Sequence, residues 1–510
     1  MTASLLLTGL VAVPWLGALL LGVAGSLPAR AARALAVLAS ASTLVFGVLL
    51  LARFDPSLPG LFVEERVPWI RSLGIDYHLG LDGMGLLFVL LTGILGPLAL
   101  VTTLRRATRV RAAGAWFLLL QGSALGVFVA LDFFPWFICW ELSLVPAFFL
   151  IRGWGGAHAG TAAYRFVVFT LAGSAGLLLA FAALYAATGT MNFTDLARLR
   201  AAGELAGKLG ALGAWAPVLV FLGVLVGLGV KAPLFPFHAW MPATYAEAPA
   251  GVSMFLTGVM SKMGVYGFFR LLWPIFPEEL RAYAGPLLVM ALGGVVLGAL
   301  AALRSGNLRH MLAYSSLNHV SYCLLALFAV AGAGPADGVA VESALVGALL
   351  QAVNHGLSAS ALFFVAGVLE QRSGGDSDFA RFGGVRNAAP RFALLAGVAL
   401  FSSLGLPGLN GFVGEFLIFR GVFALQPLAA AVAMVALLVT AIFLLSFWQR
   451  VFHGPRSGAV AGSFADLDAA EWRVLGPLVV LMILLGVAPQ LLAGLINPLA
   501  TSWAASLTLP

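Results

Sequence analysis

The pattern of hydrophobic positions along this chain is dominated by long apolar runs that polar residues interrupt only briefly. About fourteen runs reach the ~20 mostly apolar residues that a membrane-spanning helix needs. Their predicted bounds are 4–25, 31–52, 83–104, 112–131, 133–151, 164–187, 214–231, 252–273, 284–303, 310–332, 342–369, 392–424, 428–450 and 474–497. Proline and glycine interrupt the seventh and twelfth runs. The pattern predicts an all-α polytopic membrane protein with two broken helices.

The two breaks indicate an internal repeat. Leu228-Gly-Val-Lys-Ala-Pro233 lies in the seventh run and Leu404-Gly-Leu-Pro-Gly408 in the twelfth, five helices later. A repeat unit with an odd number of helices has inverted topology, which is the plan of many transporters. We therefore predict two inverted five-helix repeats. The predicted segments are 1–110 (helices 1–3), 111–275 (first repeat, helices 4–8), 276–452 (second repeat, helices 9–13) and 453–510 (a loop and helix 14).

Composition supports the membrane interpretation. Of the 510 residues, 61% are hydrophobic and 10% are charged, and the mean hydropathy is +1.02. An ordinary globular chain carries about 25% charged residues, so a soluble enzyme, a secreted disulfide scaffold and a disordered protein are excluded. Cys139 and Cys323 lie in apolar runs and form no CxxC pair. No predicted loop exceeds about 30 residues, so we expect no nucleotide-binding or flavin-binding domain.

The net charge of +7 comes from arginines in short loops, so it indicates helix orientation rather than binding to nucleic acid. When the loops are numbered alternately, one set carries 17 of the 28 Lys and Arg residues and the other carries 7. The loops richer in Lys and Arg face the cytoplasm. We therefore predict a multi-pass protein of the bacterial inner (plasma) membrane with both termini in the periplasm.

Ionisable side chains inside the apolar runs are the candidate functional residues, because a charge in the hydrocarbon core is costly. Those with a formal charge are Glu141, Lys231, Lys262 and Glu415. His319 and His355 add groups that titrate near neutral pH. His238 follows the seventh-run break, and we expect it to take up protons from the inner solution. Asp82 and Asp132 stand at the edges of runs and are expected to be capping or interfacial residues.

Several of these residues have a structural alternative. Lys231 is either a desolvated proton relay or a lysine at a helix end whose ammonium reaches the interface. Lys262 lies too deep for that, so its alternative is a polar contact between helices. Each histidine is alternatively a core residue bonded to a carbonyl. No carboxylate or cysteine stands at ligand spacing near His319 or His355, which argues against a metal site.

Five motifs resemble those of one known family, the antiporter-like membrane subunits of respiratory complex I (NADH–quinone oxidoreductase), of the subunit M or chain 4 type. The resemblance covers nearly the whole chain and implies fourteen spans with inverted repeats. The motifs are Trp140-Glu-Leu-Ser-Leu-Val-Pro146, Lys231-Ala-Pro-Leu-Phe-Pro-Phe-His-Ala-Trp240, Ala313-Tyr-Ser-Ser-Leu-Asn-His319, Asn354-His-Gly-Leu-Ser358 and Gly405-Leu-Pro-Gly-Leu-Asn-Gly-Phe-Val-Gly-Glu415.

The resemblance implies roles for the candidate residues. Glu141 would pair with Lys231 and change its proton affinity, and Lys262, His319 and His355 would carry protons to Glu415. A carboxylate at position 415 resembles chain 4, because chains 2 and 5 usually have lysine there. NAD, FMN, iron–sulfur clusters and quinone are implied for partner subunits, with no redox centre in this chain. The implied partners are the chain 2 and chain 5 types in an obligate hetero-oligomer within the lipid bilayer.

The leading hypothesis is a translocase subunit that carries protons while partner subunits transfer electrons from NADH to quinone. One alternative is a subunit of a related cation/proton antiporter, membrane-bound hydrogenase or inorganic-carbon uptake complex. The loops Met241-Pro-Ala-Thr-Tyr245 and Asn307-Leu-Arg-His310 depart from the family's usual sequence and keep that alternative open. A second alternative is a scaffold subunit whose buried charges only fix helix packing.

Overall fold

The computed structural model describes residues 5–508, apart from 24, 26, 58–59, 335–337, 458–459 and 461–463. The described chain is almost entirely helical, because a bilayer offers the backbone no hydrogen-bonding partner outside the helix itself. Within these ranges, twelve helices are long and apolar enough to cross a membrane. Ala216–Lys231 and Pro390–Ser403 are shorter apolar helices and belong to the two broken runs. The predicted helical, polytopic membrane fold is confirmed.

The helices of the first half follow the predicted runs closely, with two short helices added after the sixth run. Their bounds are α1 Leu6–Val23, α2 Ala29–Leu51, α3 Gly83–Arg106, α4 Val110–Val129, α5 Phe133–Leu142, α6 Leu144–Trp154, α7 Ala159–Thr188, α8 Phe193–Ala201, α9 Glu204–Gly210 and α10 Ala216–Lys231.

The second half begins after the first break. Its helices are α11 Met241–Glu247, α12 Ala250–Ile275, α13 Pro277–Ala282, α14 Ala284–Arg304, α15 Leu308–Ala331, α16 Gly338–Arg372, α17 Val385–Ala388, α18 Pro390–Ser403, α19 Asn410–Leu425, α20 Pro427–Phe452, α21 Ala469–Val487 and α22 Gln490–Thr508. Two segments within α12, Leu256–Met260 and Phe268–Leu272, have π-helical hydrogen bonding.

Both broken helices lie where the sequence predicts them. The helix α10 ends at Lys231, and a non-helical stretch precedes α11. The helix α18 ends at Ser403, and α19 begins at Asn410. The predicted single span 474–497 is wrong, because α21 and α22 are separate helices. Ala488 leaves the helical conformation there, since the residue before a proline is disfavoured in an α-helix.

A β-hairpin between α2 and α3 is an element that the all-α prediction did not include. Its strands, β1 Val63–Ile70 and β2 Ile75–Leu81, pair antiparallel with Val63 opposite Leu81. A 3₁₀ turn, Arg71–Leu73, joins the two strands. Pro68 in β1 cannot donate a ladder hydrogen bond, and such a residue normally argues against a strand. The hairpin was therefore hard to recognise from sequence.

The chain divides into two compact units. The first contains Met1–Pro233 and Val259–Gly285, and the second contains Leu234–Gly258 and Pro286–Pro510. The helices α12, α15 and α16 are the most completely buried spans, and they carry Lys262, His319 and His355. The four predicted segments and their inverted-repeat relationship remain predictions.

Candidate functional site

In the first unit, Lys231 is the last residue of α10 and is buried. Its ammonium nitrogen donates a hydrogen bond to Ser143 Oγ at 2.9 Å and lies 3.5 Å from the Trp140 carbonyl oxygen. The same nitrogen lies 4.8 Å from the centre of the Trp140 ring, within the range of a cation–π interaction. The lysine therefore points inward, which argues against the alternative of an ammonium that reaches the membrane interface.

Glu141 is the charged side chain that acts on the Lys231 ammonium through space. It lies near the end of α5, where Ser143 separates α5 from α6. Its Oε1 atom is buried and has no hydrogen-bond partner among the described residues. Within that part of the chain, Lys231 bonds to Ser143 and Trp140 rather than directly to Glu141. The pair is thus close enough to interact electrostatically, with Ser143 holding the ammonium.

Lys262 is fully buried and lies on the α-helical turns between the two π-helical segments of α12. Its ammonium is 3.4 Å from Ser261 Oγ. A side chain added at Gly264 would meet the backbone nitrogen of Ala232, the residue after Lys231, at less than a normal contact distance. The helix that carries Lys262 therefore packs directly on the end of the helix that carries Lys231. The structure brings both lysines and Glu141 onto contacting elements of one unit.

In the second unit, His319 and Glu415 are in direct contact. His319 Nδ1 lies 3.1 Å from Glu415 Oε1, and both side chains are buried. Gln351 donates from its amide nitrogen to the same Glu415 oxygen at 3.1 Å and lies 3.4 Å from His319 Nδ1. On the other side of the ring, Ser403 Oγ lies 3.4 Å from His319 Nε2. Both ring nitrogens of His319 therefore face polar atoms.

His355 lies beside this group. Its ring is 5.0 Å from the His319 ring, with 25° between the two planes. One residue earlier on α16, Asn354 donates to the Asn410 carbonyl oxygen at 2.7 Å. Asn410 begins α19, and its Oδ1 accepts from Ser402 Oγ at 2.6 Å. These bonds satisfy polar groups at the break between α18 and α19, as a membrane interior requires.

The break itself comes close to the Glu415 carboxylate. Gly405 has a φ of +78°, a conformation that side-chain-bearing residues rarely adopt. A Cβ atom at this position would lie 2.6 Å from Glu415 Oε2. Glycine is therefore required at position 405 both by backbone conformation and by the carboxylate beside it.

His238 is in the second unit, in the turn before α11. Its side chain is half-buried, and its Nδ1 atom is buried with no hydrogen-bond partner among the described residues. The His238 ring lies 5.5 Å from the Phe235 ring. The proposed uptake of protons at His238 stays a prediction.

Sequence reasoning missed three residues that contact the candidate groups, namely Ser143, Gln351 and Ser403. Gln351 precedes His355 by four residues on one helix, and residues at that spacing lie on the same face. That spacing, together with an amide inside an apolar helix, was the available signal. Ser143 follows Glu141 by two residues and could be recognised only once α10 was placed beside α5.

Two aspartates at the edges of spans act as helix caps, as expected. Asp82 Oδ1 accepts from the Gly85 backbone nitrogen at the start of α3 and also pairs with Arg270 at 2.7 Å. Asp132 Oδ1 accepts from the Phe134 backbone nitrogen at the start of α5. Burial raises the pKa of Asp132 to about 6, although that hydrogen bond opposes the shift.

A buried histidine lies on the hairpin in the same unit. His78 Nε2 is 2.8 Å from Glu64 Oε1, and His78 Nδ1 is 2.6 Å from the Asn192 amide nitrogen. Burial lowers the pKa of His78, and the hydrogen bond that the ring donates to Glu64 opposes that shift. Asn192 is also joined to Asp132 by a backbone bridge. These groups tie the hairpin to the start of α5 and to the start of α8.

The two groups of buried residues differ in what they can do chemically. His319 can accept a proton at one ring nitrogen and release one from the other, and Glu415 at 3.1 Å can receive it. Lys231 is held by the neutral hydroxyl of Ser143, and the Glu141 carboxylate acts on its ammonium through space. In the described ranges, no three His, Cys, Asp or Glu side chains form a group that could hold a metal ion.

Comparisons with known proteins place this arrangement in a family. The sequence profile of the family described as NADH:quinone oxidoreductase/Mrp antiporter, TM, matches residues 130–441. The NADH-quinone oxidoreductase subunit M of Rhodobacter capsulatus is 35% identical over 482 residues, which cover 93% of this chain and 91% of the relative. The region that matches the family profile, residues 130–441, includes every candidate residue from Glu141 to Glu415.

Solved structures agree with the sequence comparison. A chain in the structure of respiratory complex I from Thermus thermophilus with bound NADH superposes with a TM-score of 0.84 at 30% identity, covering 98% of this chain and 99% of that one. A chain of the Mrp complex from Dietzia sp. DQ12-45-1b has the same fold, with a TM-score of 0.82 at 22% identity and coverage of 100% and 98%. The resemblance to the antiporter-like subunits is confirmed, and this chain belongs to the NADH:quinone oxidoreductase/Mrp antiporter family of transmembrane subunits.

Proposed function

We propose that this chain is the proton-translocating membrane subunit, of the subunit M type, of an NADH–quinone oxidoreductase. The observation that carries the proposal is the buried contact between His319 and Glu415, at 3.1 Å, inside membrane-spanning helices. A buried titratable pair is costly in a bilayer and marks proton pathways in pumps and transporters. This chain is 35% identical to the NADH-quinone oxidoreductase subunit M of Rhodobacter capsulatus over 93% of its length, and this similarity supports the choice of complex.

Each unit contributes a separate part of the proposed mechanism. In the first unit, a change in the charge of Glu141 alters the free energy of protonating Lys231, and Lys262 accepts the proton that Lys231 releases. In the second unit, His355 and His319 pass protons to Glu415. Gln351 holds Glu415 beside His319 through its amide hydrogen bond. Ser143 and Gln351 are positioning residues, because they orient the titrating groups without titrating themselves.

The remaining parts of the proposal concern the assembly. NAD, FMN, iron–sulfur clusters and quinone are bound by partner subunits, and this chain contributes to the translocase without a redox centre of its own. Its partners are membrane-arm subunits of the chain 2 and chain 5 types in an obligate hetero-oligomer. Its location is the bacterial inner membrane with both termini in the periplasm, and His238 takes up protons from the inner side.

The test of the relay is the pair of variants Lys231→Ala and Glu415→Gln in the assembled complex. We expect each to slow proton transfer by about 100-fold or more, the range in which a positioned acid or base contributes. Acidification driven by NADH in sealed vesicles should be lost, while NADH oxidation by a soluble artificial acceptor should continue. The matched control is Lys208→Ala, because that lysine lies on α9 with a partly exposed side chain. Normal acidification in Lys231→Ala would refute the relay.

Capture of the partners decides between the proposal and the alternative assemblies. The chain would carry a tag, the membranes would be solubilised in mild detergent, and the co-purifying proteins would be identified by mass spectrometry. Flavin-binding and iron–sulfur subunits that oxidise NADH support the proposal. Recovery of antiporter, hydrogenase or carbon-uptake subunits instead would leave the proton path in place and replace what drives it.

A further inference from the structure

A long apolar groove follows one face of α18 in the second unit. Its volume is about 550 Å³. The α18 residues that line it recur every three or four positions, as one face of a helix does, and include Pro390, Leu394, Gly397 and Phe401. Trp448 of α20 and Ile483 of α21 also line the groove. It therefore extends along the whole length of α18.

The two ends of the groove differ in character. One end reaches the break between α18 and α19, where residues 406–409 line it. The other end reaches Arg386 of α17, just before α18 begins. Among the described residues that line the groove, Arg386 is the only one with a charge. The groove is thus apolar along its length, with one cation at one end.

The length and lining of the groove suit an extended hydrocarbon chain. A helix of 14 residues is roughly 20 Å long. The groove follows α18 over that length, and its lining is apolar except for Arg386. A hydrocarbon chain can therefore lie along the groove with its polar head group at the charged end.

The charges around the Arg386 end select the head group. Arg386 and Arg391 are exposed, and the Arg456 guanidinium donates to the Asn387 carbonyl oxygen at 2.6 Å, one residue from Arg386. Asp466 carries a negative charge near these three arginines. Its carboxylate accepts hydrogen bonds from the backbone nitrogens of Arg391 and Phe392 at the start of α18. Three cations against one anion attract an anionic head group and repel an amphiphilic amine.

We propose that this groove binds one acyl chain of an anionic phospholipid, with the lipid phosphate at Arg386. The bound chain would lie along Leu394 and Phe401 and end against the break. A Cβ at Gly405 in that break would lie 2.6 Å from Glu415 Oε2, so an occupied groove supports the backbone beside the proposed proton acceptor. The lipid site does not depend on which complex the chain serves.

The test uses the native assembly in nanodiscs of phosphatidylcholine that contain a small fraction of phosphatidylglycerol with a photoactivatable acyl chain. After illumination, mass spectrometry measures labelling of the peptides that contain α18, Trp448 and Ile483. A parallel sample carries the same acyl chain on phosphatidylcholine. We expect labelling of these peptides from phosphatidylglycerol to exceed that from phosphatidylcholine.

Three variants separate the contributions of head group and chain. Arg386→Gln should reduce labelling from phosphatidylglycerol about fivefold, the effect of one cation near a membrane surface, and leave phosphatidylcholine unchanged. Leu394→Trp, at an exposed position in the groove, should reduce labelling from both lipids by blocking the chain. Arg304→Gln is the matched control, because Arg304 is exposed and is not part of the groove lining.

Three results would overturn the proposal. One is equal labelling of the wild-type groove by the two lipids. Another is labelling in Arg386→Gln that matches Arg304→Gln. The third is photochemical attachment of the groove residues to another protein chain, when the crosslinker is placed on position 394, since a neighbouring subunit would then fill the groove. None of these readouts depends on proton transport, so the lipid site and the proposed function fail or succeed separately.

Discussion

At the scale of single residues, two glycines in the second break allow the effect of the Glu415 contact to be isolated. Gly405 and Gly408 both have a positive φ, +78° and +90°. A Cβ at Gly405 would meet Glu415 Oε2, whereas a Cβ at Gly408 would meet nothing within 4 Å. An alanine at either position is strained by about 1–2 kcal/mol, but only Gly405→Ala should displace the carboxylate.

We therefore predict that Gly405→Ala reduces NADH-driven acidification of vesicles strongly and that Gly408→Ala does not. Both variants should lower the unfolding temperature of the assembled complex by a similar amount, because they share the backbone strain. The comparison of acidification with thermal unfolding in the two variants checks this. Equal losses of acidification would mean that strain in the break, rather than the position of Glu415, limits transport.

Asp132 gives a prediction about pH, since it precedes the membrane-spanning part of α5 and its pKa is raised by burial from 3.8 to about 6. The unfolded chain loses this proton near pH 4, whereas the folded chain keeps it until about pH 6. The stability that the neutral acid contributes is therefore present below about pH 4 and is lost as pH rises to about 6.

Asp132→Asn should remove that pH dependence. Asparagine also caps helix N-termini well, so the bond to the Phe134 nitrogen should persist. We expect the variant to match the wild type at pH 4 and to be more stable by up to about 3 kcal/mol at pH 8. Thermal unfolding of the purified protein at both pH values measures this. A variant that is less stable at pH 8 would show that the charged form is favoured in the folded protein.

At the scale of elements, a buried carboxylate of the hairpin binds the start of the first helix. Glu65 Oε1 accepts from the Leu7 backbone nitrogen at 2.8 Å, and Oε2 accepts from the Thr8 backbone nitrogen at 3.0 Å and from its hydroxyl at 2.6 Å. The first backbone N–H groups of a helix lack partners within the helix and carry partial positive charge. Glu65 therefore supplies both the hydrogen bonds and the complementary charge.

We predict that Glu65→Gln destabilises the protein by about 1–3 kcal/mol, because the amide turns an N–H donor toward a helix N–H and leaves a buried donor unpaired. The matched control is Glu204→Gln, because the Glu204 side chain is half exposed and lies on α9, outside the hairpin. Thermal unfolding and limited proteolysis within the hairpin would measure both. Equal effects of the two substitutions would contradict a specific cap.

The elements also show which features the sequence could reveal. The breaks after Lys231 and Ser403 were predictable, because proline and glycine within an apolar run remove or weaken helical hydrogen bonds over a few consecutive residues. The hairpin was not, because its strands depend on pairing between residues distant in sequence and Pro68 argues against one of them. The helix start at Gln490 was missed because a single proline within an apolar run predicts either a kink or an end.

The same limit applies to the candidate site. Charged residues inside apolar runs stand out, so Lys231, Lys262 and Glu415 could be found from sequence alone. Ser143 and Ser403 could not, because serine is common in membrane helices and only the packing of two helices brings it within reach of a titrating group. Sequence therefore reveals the ionisable candidate residues, whereas the fold reveals which neutral groups contact them.

At the scale of the whole molecule, the most buried spans carry ionisable candidate residues. The spans α12 and α16 are fully buried over their most apolar window, and α15 is nearly so. These helices place Lys262, His355 and His319 away from lipid, whereas α1 and α2 are mostly exposed and carry no candidate residue. A charge that faced the hydrocarbon would be costly, so the three most buried spans are suited to carry three of the proposed relay residues.

The orientation predicted from loop charge can be tested by labelling introduced cysteines, because both native cysteines are buried. Cys139 and Cys323 are both buried, so a membrane-impermeant maleimide should not reach them in the folded protein.

Ser72 in the hairpin and Thr108 between α3 and α4 are exposed positions in the first unit. Loop charge predicts that Ser72 faces the periplasm and Thr108 the cytoplasm. In cells with a permeabilised outer membrane, Ser72→Cys should be labelled at once, and Thr108→Cys only after the inner membrane is opened. The reverse order would invert the predicted topology and move Arg386, with its lipid site, to the periplasmic leaflet.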